Sequence, residues 1–215
     1  MYDLHTHSIL SDGELLPIEL VRRTAVMGYR TIGITDHVDA SNISRVITAL
    51  SEVREHARLF GVDLLCGVEI THVPPSEIGS MARRAKDEGA DIVVVHGETV
   101  AEPVAKGTNR AAVSCGEVDL LAHPGMITVE EALLAKENFV GIELTARSGH
   151  SLTNGHVYSI AKQAGCALFI SSDAHSPRDL MTAEVRRHVA AGAGMRADEV
   201  DRALSRDIRR WLGRQ

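Results

Sequence analysis

Short apolar runs alternate with longer amphipathic segments along almost the whole 215-residue chain. Seven runs have the length and the aliphatic content of buried strands. They are Tyr2–His5, Thr31–Thr35, Leu64–Ile70, Asp91–His96, Asp119–Ala122, Val140–Leu144 and Ala167–Ser171. Strands that are separated by helical segments build a parallel sheet with crossover helices. We therefore expect an α/β fold, and periodicity alone leaves an open doubly wound sheet and a closed barrel as alternatives.

Eight helical segments lie between and after these strands. They are predicted at Leu16–Met27, Ile43–Phe60, Ser76–Glu88, Val100–Ser114, Thr128–Lys136, Gly155–Ala164, Asp179–Ala191 and Asp198–Leu212. Pro17 suits a first helical turn, and Gly28 and Gly165 fall where helices commonly end. No linker, low-complexity tract or repeat interrupts the pattern. A single domain over residues 1–215 is the prediction.

The charge balance argues against a nucleic-acid-binding surface. The chain has 23 Lys and Arg against 29 Asp and Glu, a formal net charge of −6, whereas broad nucleic-acid interfaces are strongly basic. Its three cysteines show no CxxC spacing and look like small buried side chains in a reducing compartment. No targeting signal and no membrane-length apolar run are evident. We expect a cytoplasmic protein with no membrane partner.

Polar side chains gather at the carboxyl ends of the predicted strands, where the reactive groups of parallel β/α folds meet. In chain order they are His5, His7, Asp36, His37, Glu69, His96, His123, Asp173 and His175, and Asp12 joins them from the first loop. Six of the chain's eleven histidines are in this set. The pattern predicts one rim that carries most of the chemistry.

These side chains favour a metal centre over structural roles. A single histidine at a strand end is more often a hydrogen-bonded structural residue. Six histidines and four acids on one rim, in contrast, are costly unless positive charge compensates them, and divalent cations do so. The count exceeds the roughly three protein ligands of one catalytic zinc. Mixed nitrogen and carboxylate ligands therefore indicate a multinuclear centre of Zn, Mn or Fe.

The motifs that carry these residues resemble a known family. In order they read "HTHSILSDG", "ITDH", "GVE", "VVHGE", "AHPG" and "SSDAH", and they are similar to those of the PHP (polymerase and histidinol phosphatase) superfamily. The resemblance runs from Asp3 to His175, and the ordered set is specific although HxH alone is weak. It implies a distorted, TIM-like (β/α)7 barrel with two to three divalent metal ions that hydrolyses phosphoesters.

The resemblance also implies a ligand assignment for a trinuclear centre. The first metal would be held by His5, His7, Glu69 and Asp173, the second by Glu69, His96 and His123, and the third by Asp12, His37 and His175. A metal-bridging hydroxide would attack phosphorus in line. Asp36 is a candidate proton shuttle, with orientation of the His37 ring as the equal alternative.

Two polar loops offer candidates for phosphate binding. Arg147 and His150 follow the sixth strand, and a guanidinium matches phosphate geometry; a surface arginine and a turn histidine are the equal alternative. Lys106, Asn109 and Arg110 follow the fourth strand, where a plain surface loop is favoured.

Four histidines and one glutamate lie outside these motifs and loops. His56, His72, His156 and His188 are expected to be structural or exposed, and Glu143, inside the sixth strand, is a candidate partner of a ligand.

The leading interpretation is a small metal-dependent phosphatase that acts on a phosphomonoester, like histidinol-phosphate phosphatases. The first alternative is a PHP-type phosphodiesterase or exonuclease, against which the acidic charge counts. The second is a non-catalytic RNA-binding barrel that resembles a ribonuclease P subunit, in which we would expect degraded ligands and a basic face. An amidohydrolase also begins with HxH, but "ITDH" and "GVE" fit that family poorly. A small phosphorylated substrate is the expected partner, and the sequence does not indicate an oligomeric state.

Overall fold

Eight parallel strand segments form one sheet in the computed structural model, which describes residues 1–213. The segments are β1 (Tyr2–Asp3), β2 (Thr31–Ile34), β3 (His37–Val38), β4 (Asp63–Ile70), β5 (Ile92–His96), β6 (Leu120–Ala122), β7 (Gly141–Thr145) and β8 (Leu168–Ser171). Their order is β1-β2-β4-β5-β6-β7-β8, and β3 also pairs with β4. Because β3 keeps the register of β2 on β4, the sheet has seven strand positions, as predicted.

The two edges of this sheet approach each other and nearly close a barrel. An isolated parallel bridge joins Thr6, after β1, to Ala174, after β8. The His7 N–H donates to the Ala174 carbonyl at 2.8 Å, and the Asp173 N–H donates to the His5 carbonyl at 2.9 Å. The predicted distorted (β/α)7 barrel is confirmed, and the closed form is favoured over the open sheet.

Nine α-helices surround the barrel in the described residues. They are α1 (Pro17–Val26), α2 (Ile43–Leu59), α3 (Ile78–Asp87), α4 (Thr108–Val113), α5 (Val129–Glu137), α6 (Asn154–Ala164), α7 (Ala183–Gly192), α8 (Ala197–Leu204) and α9 (Ile208–Leu212). Short 3₁₀ helices occupy Pro75–Glu77, His150–Thr153 and Pro177–Asp179. Within residues 1–213, no helix has both the length and the apolar character that crossing a membrane requires.

Three helix predictions were wrong at their ends. The segment predicted at Val100–Ser114 is helical only from Thr108, because Gly107 adopts a left-handed φ of 96° directly before it. The segment predicted at Asp198–Leu212 is two helices, since the Asp207 side chain accepts the Arg210 N–H and starts a new one. The helix predicted to begin at Asp179 begins at Ala183, after a 3₁₀ turn. Residues 214 and 215 of the predicted domain lie outside the described part.

The apolar core has two layers, divided by the sheet. In β5, Val93 and Val95 pack outward against the helices, while Ile92 and Val94 face the barrel interior. The interior layer also receives Trp211 from α9, so this last helix covers the amino-terminal end of the barrel. The opposite, carboxyl-terminal end is left to polar side chains.

Candidate metal centre

Strand alternation places acidic and histidine side chains at the carboxyl-terminal mouth of the barrel. In β5, Ile92 and Val94 face inward, and the period of two residues puts His96 on the same face. In β4, Leu65 faces inward, and Glu69, four residues later, lies on the same face of the strand. Both polar residues are buried. The pattern that builds the core therefore also positions these two candidate ligands.

Five predicted ligands form a buried inner group. They are His5, His7, Glu69, His123 and Asp173. The His5 Nε2 atom lies 3.3 Å from Glu69 Oε1, and His7 Nε2 lies 3.2 Å from Asp173 Oδ1. His123 Nε2 lies 3.5 Å from Glu69 Oε1 and 3.7 Å from Asp173 Oδ2. The sheet thus brings together residues that are up to 168 positions apart in the chain (173 minus 5).

The donor atoms of the inner group fit divalent ions. His5 Nε2, both ring nitrogens of His7 and both Glu69 oxygens are buried and make no well-aligned hydrogen bond among the described residues, although Glu69 Oε2 lies 2.7 Å from His37 Nδ1. Buried polar atoms are normally satisfied. Ligands that surround a zinc tetrahedrally at 2.0–2.1 Å are roughly 3.3 Å from one another, which is close to the His5–Glu69 separation of 3.3 Å. The set is therefore able to hold metal, as its chemistry predicts.

Glu143 fixes the orientation of the inner group. Its Oε1 atom lies 2.9 Å from His5 Nδ1, and its Oε2 atom accepts the backbone N–H of His123 at 3.0 Å. With a proton on Nδ1, His5 turns the lone pair of Nε2 toward Glu69. Carboxylates that hold a ligating histidine in this way are a common support of metal sites.

A second, outer group lies beside the inner one. It comprises Asp12, His37, His175 and His7. Asp12 Oδ2 lies 3.3 Å from His175 Nε2, and Asp12 Oδ1 lies 3.6 Å from His37 Nε2. Since 56% of the Asp12 side chain is exposed, this group is open to solvent. His7 belongs to both groups, because its Nδ1 lies 3.9 Å from Asp12 Oδ1, whereas the family resemblance implied that it binds the first metal alone.

A third group contains His96, His123 and His150. All three are buried, with ring centroids 4.5 Å apart for His96 and His123 and 4.4 Å apart for His123 and His150. His150, predicted to join Arg147 in binding phosphate, lies with its ring among these imidazoles, and its role in phosphate binding stays a prediction. The ring reaches them because the segment after β7 turns into a 3₁₀ helix that begins at His150.

Electrostatics keep the carboxylates of the centre charged. Burial would raise the pKa of Asp173 and Glu69, but the imidazole of His5 and its neighbours outweigh burial and lower the pKa of both. Burial lowers the pKa of His96 to about 4, so this ring is neutral at pH 7. Burial would also lower the pKa of His37, but the Glu69 carboxylate raises it to about 9. At pH 7 without metal, His96 is therefore neutral while His37 is protonated, and the same carboxylates raise the pKa of His5 and His123. A metal cation that binds these rings would displace their protons.

Asp36 is hydrogen-bonded to the loop after β1. It is buried, and its carboxylate accepts hydrogen bonds from the N–H and hydroxyl of Ser8, at 2.8 and 2.7 Å, and from those of Ser11, at 3.1 and 2.7 Å. No hydrogen bond from Asp36 to the His37 ring is found in residues 1–213. Asp36 therefore holds the loop that carries Asp12, and its predicted role as a proton shuttle stays a prediction.

Arg147 lies beside Asp179, whose Oδ2 atom also accepts the backbone N–H of His175 at 3.0 Å. Its Nη1 atom lies 3.7 Å from Asp179 Oδ2, and it lines a separate cavity of about 450 Å³ together with Arg178 and Met181. None of the predicted ligands lines that cavity. The role of Arg147 in phosphate binding stays a prediction.

The Lys106 to Arg110 loop is a surface loop with one structural residue. Lys106 and Arg110 are exposed. Asn109 is buried, donates from Nδ2 to the Pro124 carbonyl at 2.8 Å and accepts the Glu98 N–H at 2.9 Å. It therefore joins the loops after β5 and β6 instead of reaching for substrate.

Sequence reasoning missed two residues beside the centre, Glu102 and His72. Glu102 Oε2 lies 3.2 Å from His96 Nε2, and Oε1 lies 3.3 Å from His150 Nε2. His72, which we expected to be structural or exposed, has its Nε2 3.3 Å from Glu102 Oε2. Their positions in the sequence could have identified them. His72 lies two residues after the end of β4, which carries Glu69, and Glu102 lies in the long loop after β5, which carries His96.

Comparison with known proteins gives relatives of several kinds. The chain is 47% identical over 205 residues to an uncharacterized protein of Methanocaldococcus jannaschii, and the match covers 94% of each. It is 29% identical over 220 residues to ribonuclease P protein component 3 of Methanococcoides burtonii, across 95% of this chain and 83% of that protein. A 5′-3′ exoribonuclease of Haemophilus influenzae is 40% identical over 70 residues, which cover 33% of this chain and 23% of that protein.

Among solved structures, the fold is similar to that of histidinol phosphate phosphatase from Lactococcus lactis, which was solved with zinc, L-histidinol and phosphate. The TM-score is 0.62 at 15% identity, and the match covers 91% of this chain and 94% of that one. At this identity the likeness shows the fold. The model of the PHP domain family matches residues 3–207. The chain, with its several groups of side chains able to bind metal, therefore belongs to the PHP domain family.

Proposed function

We propose that this protein is a metal-dependent phosphatase that hydrolyses a small phosphomonoester. One observation carries the proposal: nine candidate ligands converge at the mouth of the barrel, and the innermost donors make no well-aligned hydrogen bond among the described residues. The nine are His5, His7, Asp12, His37, Glu69, His96, His123, Asp173 and His175.

Two or three ions of Zn, Mn or Fe are the proposed cofactors. When bound, they supply a water of lowered pKa and neutralise the phosphate oxygens. The chain's own contribution is geometric. His5 and Asp173 would hold an inner ion with Glu69 beside them, Asp12 and His175 would hold an outer one, and burial of the inner group excludes bulk water. Phosphoryl transfer depends mainly on such positioning and charge stabilisation.

The cleft beside the outer group favours a small substrate. It has a volume of about 480 Å³ and is lined by Asp12, Asp39 and Glu102 among others, and the lining residues that the structure describes include no lysine or arginine. A nucleic-acid chain requires several cationic side chains along its phosphates. A single phosphate can instead be bound by the metal ions themselves. The net charge of −6 agrees with this preference.

Hydrolysis by the purified protein, loaded with Mn²⁺ or Zn²⁺, tests the proposal. The substrates would be p-nitrophenyl phosphate, histidinol phosphate and nucleoside monophosphates, with bis(p-nitrophenyl) phosphate as the diester. Histidinol phosphate is included because of the fold neighbour described above. We expect monoester hydrolysis that His123→Ala and Asp173→Asn abolish without unfolding the chain. Equal rates in the wild type and in Asp173→Asn would contradict the proposal.

A 5′-3′ exoribonuclease is the second candidate. It is supported by the local match to the Haemophilus influenzae enzyme. A short RNA with a 5′ phosphate separates the two candidates. Stepwise release of nucleoside monophosphates from its 5′ end, faster than hydrolysis of any free monoester, would favour the exoribonuclease.

A further inference from the structure

Two imidazoles and one carboxylate meet on the open side of the centre. The Oε2 atom of Glu102 lies 3.2 Å from His96 Nε2 and 3.3 Å from His72 Nε2. Only the pair with His72 has hydrogen-bond geometry. Both separations are close to the roughly 3.3 Å between neighbouring ligands of a tetrahedral zinc. The three side chains therefore have the composition and the spacing of a metal site. Of the three, only His96 belongs to a family motif.

The backbone of His72 gives an independent indication. Its φ is 53°, in the left-handed region that residues other than glycine rarely adopt. In the described chain, three further non-glycine residues have positive φ: His123, Phe139 and Asp173. Two of these are candidate ligands. Backbone strain of this kind costs about 1–3 kcal/mol and concentrates at functional sites, which favours a function for His72 over an exposed structural position.

The surroundings of the group are suited to a bound cation. The His72 and Glu102 side chains are 45% and 39% exposed, while His96 is buried. Both exposed residues line the cleft of about 480 Å³, together with Asp12 and Asp39. An ion here would keep open coordination positions toward the cleft, as catalytic sites do. It would also supply positive charge next to Asp12, Asp39 and Glu102, the acidic side chains that line the cleft.

We propose that His72, His96 and Glu102 bind a divalent transition-metal ion at the edge of the cleft. His72 and Glu102 thereby become metal ligands that the family motifs do not include. The further role of this ion, to contact a phosphorylated substrate from the cleft side, rests on the proposed phosphatase function. The binding of the ion does not depend on that function.

Equilibrium binding of Zn²⁺ tests the site. Metal-free protein would be dialysed against buffered Zn²⁺ from nanomolar to micromolar free concentration, and bound zinc would be measured by mass spectrometry. His72→Asn is the deciding variant, because asparagine adopts a positive φ more readily than most residues and so removes the imidazole without adding strain. Glu102→Gln keeps the shape of the second ligand, and His188→Ala, an exposed histidine on α7, is the control.

We expect His72→Asn and Glu102→Gln to weaken binding of one equivalent at least tenfold, or to lose it, while His188→Ala binds like the wild type. The thermal transition of metal-free His72→Asn should match that of the wild type or lie above it. Superimposable isotherms for the wild type and both variants would overturn the site. The readout is bound metal, so absence of phosphatase activity would reject the proposed function and leave this metal site standing. Loss of the metal site would likewise leave the proposed phosphatase function standing.

Discussion

At the scale of single residues, the centre depends on side chains that do not themselves belong to the nine candidate ligands. Glu143 contacts two of them at once, through the His5 ring and the His123 backbone. Asp36 holds the loop that carries Asp12, because it accepts four hydrogen bonds from Ser8 and Ser11. Such supporting residues convert a set of ligand-competent side chains into a set with defined orientation.

Glu143→Gln is expected to weaken metal binding by the inner group. The amide can still accept the His5 proton, but its NH₂ group then faces the His123 N–H, and two donors repel. Loss of a supporting carboxylate typically lowers metal affinity about 10- to 100-fold. Competition with a chelator of known affinity measures the change. Glu137→Gln, at the exposed end of α5, is the control, and equal affinities of the two variants would contradict the role of Glu143.

The pH dependence of stability should reflect the loss of the proton from His37. Its pKa is raised from 6.5 to about 9, since the Glu69 carboxylate outweighs burial. A group whose folded-state pKa is raised stabilises fully below its unfolded pKa, and that stabilisation is lost as the pH rises through the folded pKa. The melting temperature of the metal-free protein, measured with a chelator present, should therefore fall between pH 6.5 and 9. The fall should be smaller in His37→Gln; parallel curves would contradict the assignment.

At the scale of elements, strands proved predictable and loops did not. Alternation in β4 and β5 was sufficient to place Glu69 and His96 at the barrel mouth, because a strand has one period and one buried face. The loop that carries Glu102 is shaped by distant contacts instead. Glu98 accepts the N–H groups of Gly107 and Asn109, and Asn109 reaches Pro124. No local pattern encodes those contacts, which is why helix was predicted from Val100.

The loop after β1 provides a test at this scale. Asp36→Ala removes four hydrogen bonds and leaves the buried donors of Ser8 unsatisfied, which costs about 1–3 kcal/mol for each group that remains unpaired, whereas the half-buried Ser11 can turn to solvent. We expect amide exchange to accelerate locally at residues 8–13 while the strands stay protected. Hydrogen exchange followed by mass spectrometry measures this. Asp87→Asn, exposed at the end of α3, is the control, and unchanged exchange at residues 8–13 would contradict the role of Asp36.

At the scale of the whole molecule, stability and chemistry are located at opposite ends of the barrel. The polar groups occupy the carboxyl-terminal mouth. The amino-terminal end is covered by α9, whose Trp211 ring lies 4.3 Å from that of Phe169, and by Arg209, which contacts Asp63 at the start of β4 at 2.6 Å. This separation allows ligands to be changed at the mouth without removing the apolar packing that holds the barrel together.

Trp211→Ala should destabilise the fold without changing the centre. Trp211 is buried in the inner apolar layer, and truncation of a buried aromatic side chain costs about 3–5 kcal/mol. Urea denaturation of the metal-free protein measures the free energy of unfolding, with exposed Arg210→Ala as the control. Under native conditions the variant should still bind the wild-type number of metal equivalents. A loss below about 1 kcal/mol would show that α9 does not close the core.

The metal content of the purified protein tests the central claim most directly. After incubation with Zn²⁺ or Mn²⁺ and removal of excess metal, elemental analysis should find more than one equivalent of transition metal per chain. Asp173→Asn, which removes the carboxylate nearest to His7 in the inner group, should retain fewer equivalents while keeping its fold. A wild-type protein that is folded and retains no metal, or as little as Asp173→Asn, would contradict the account.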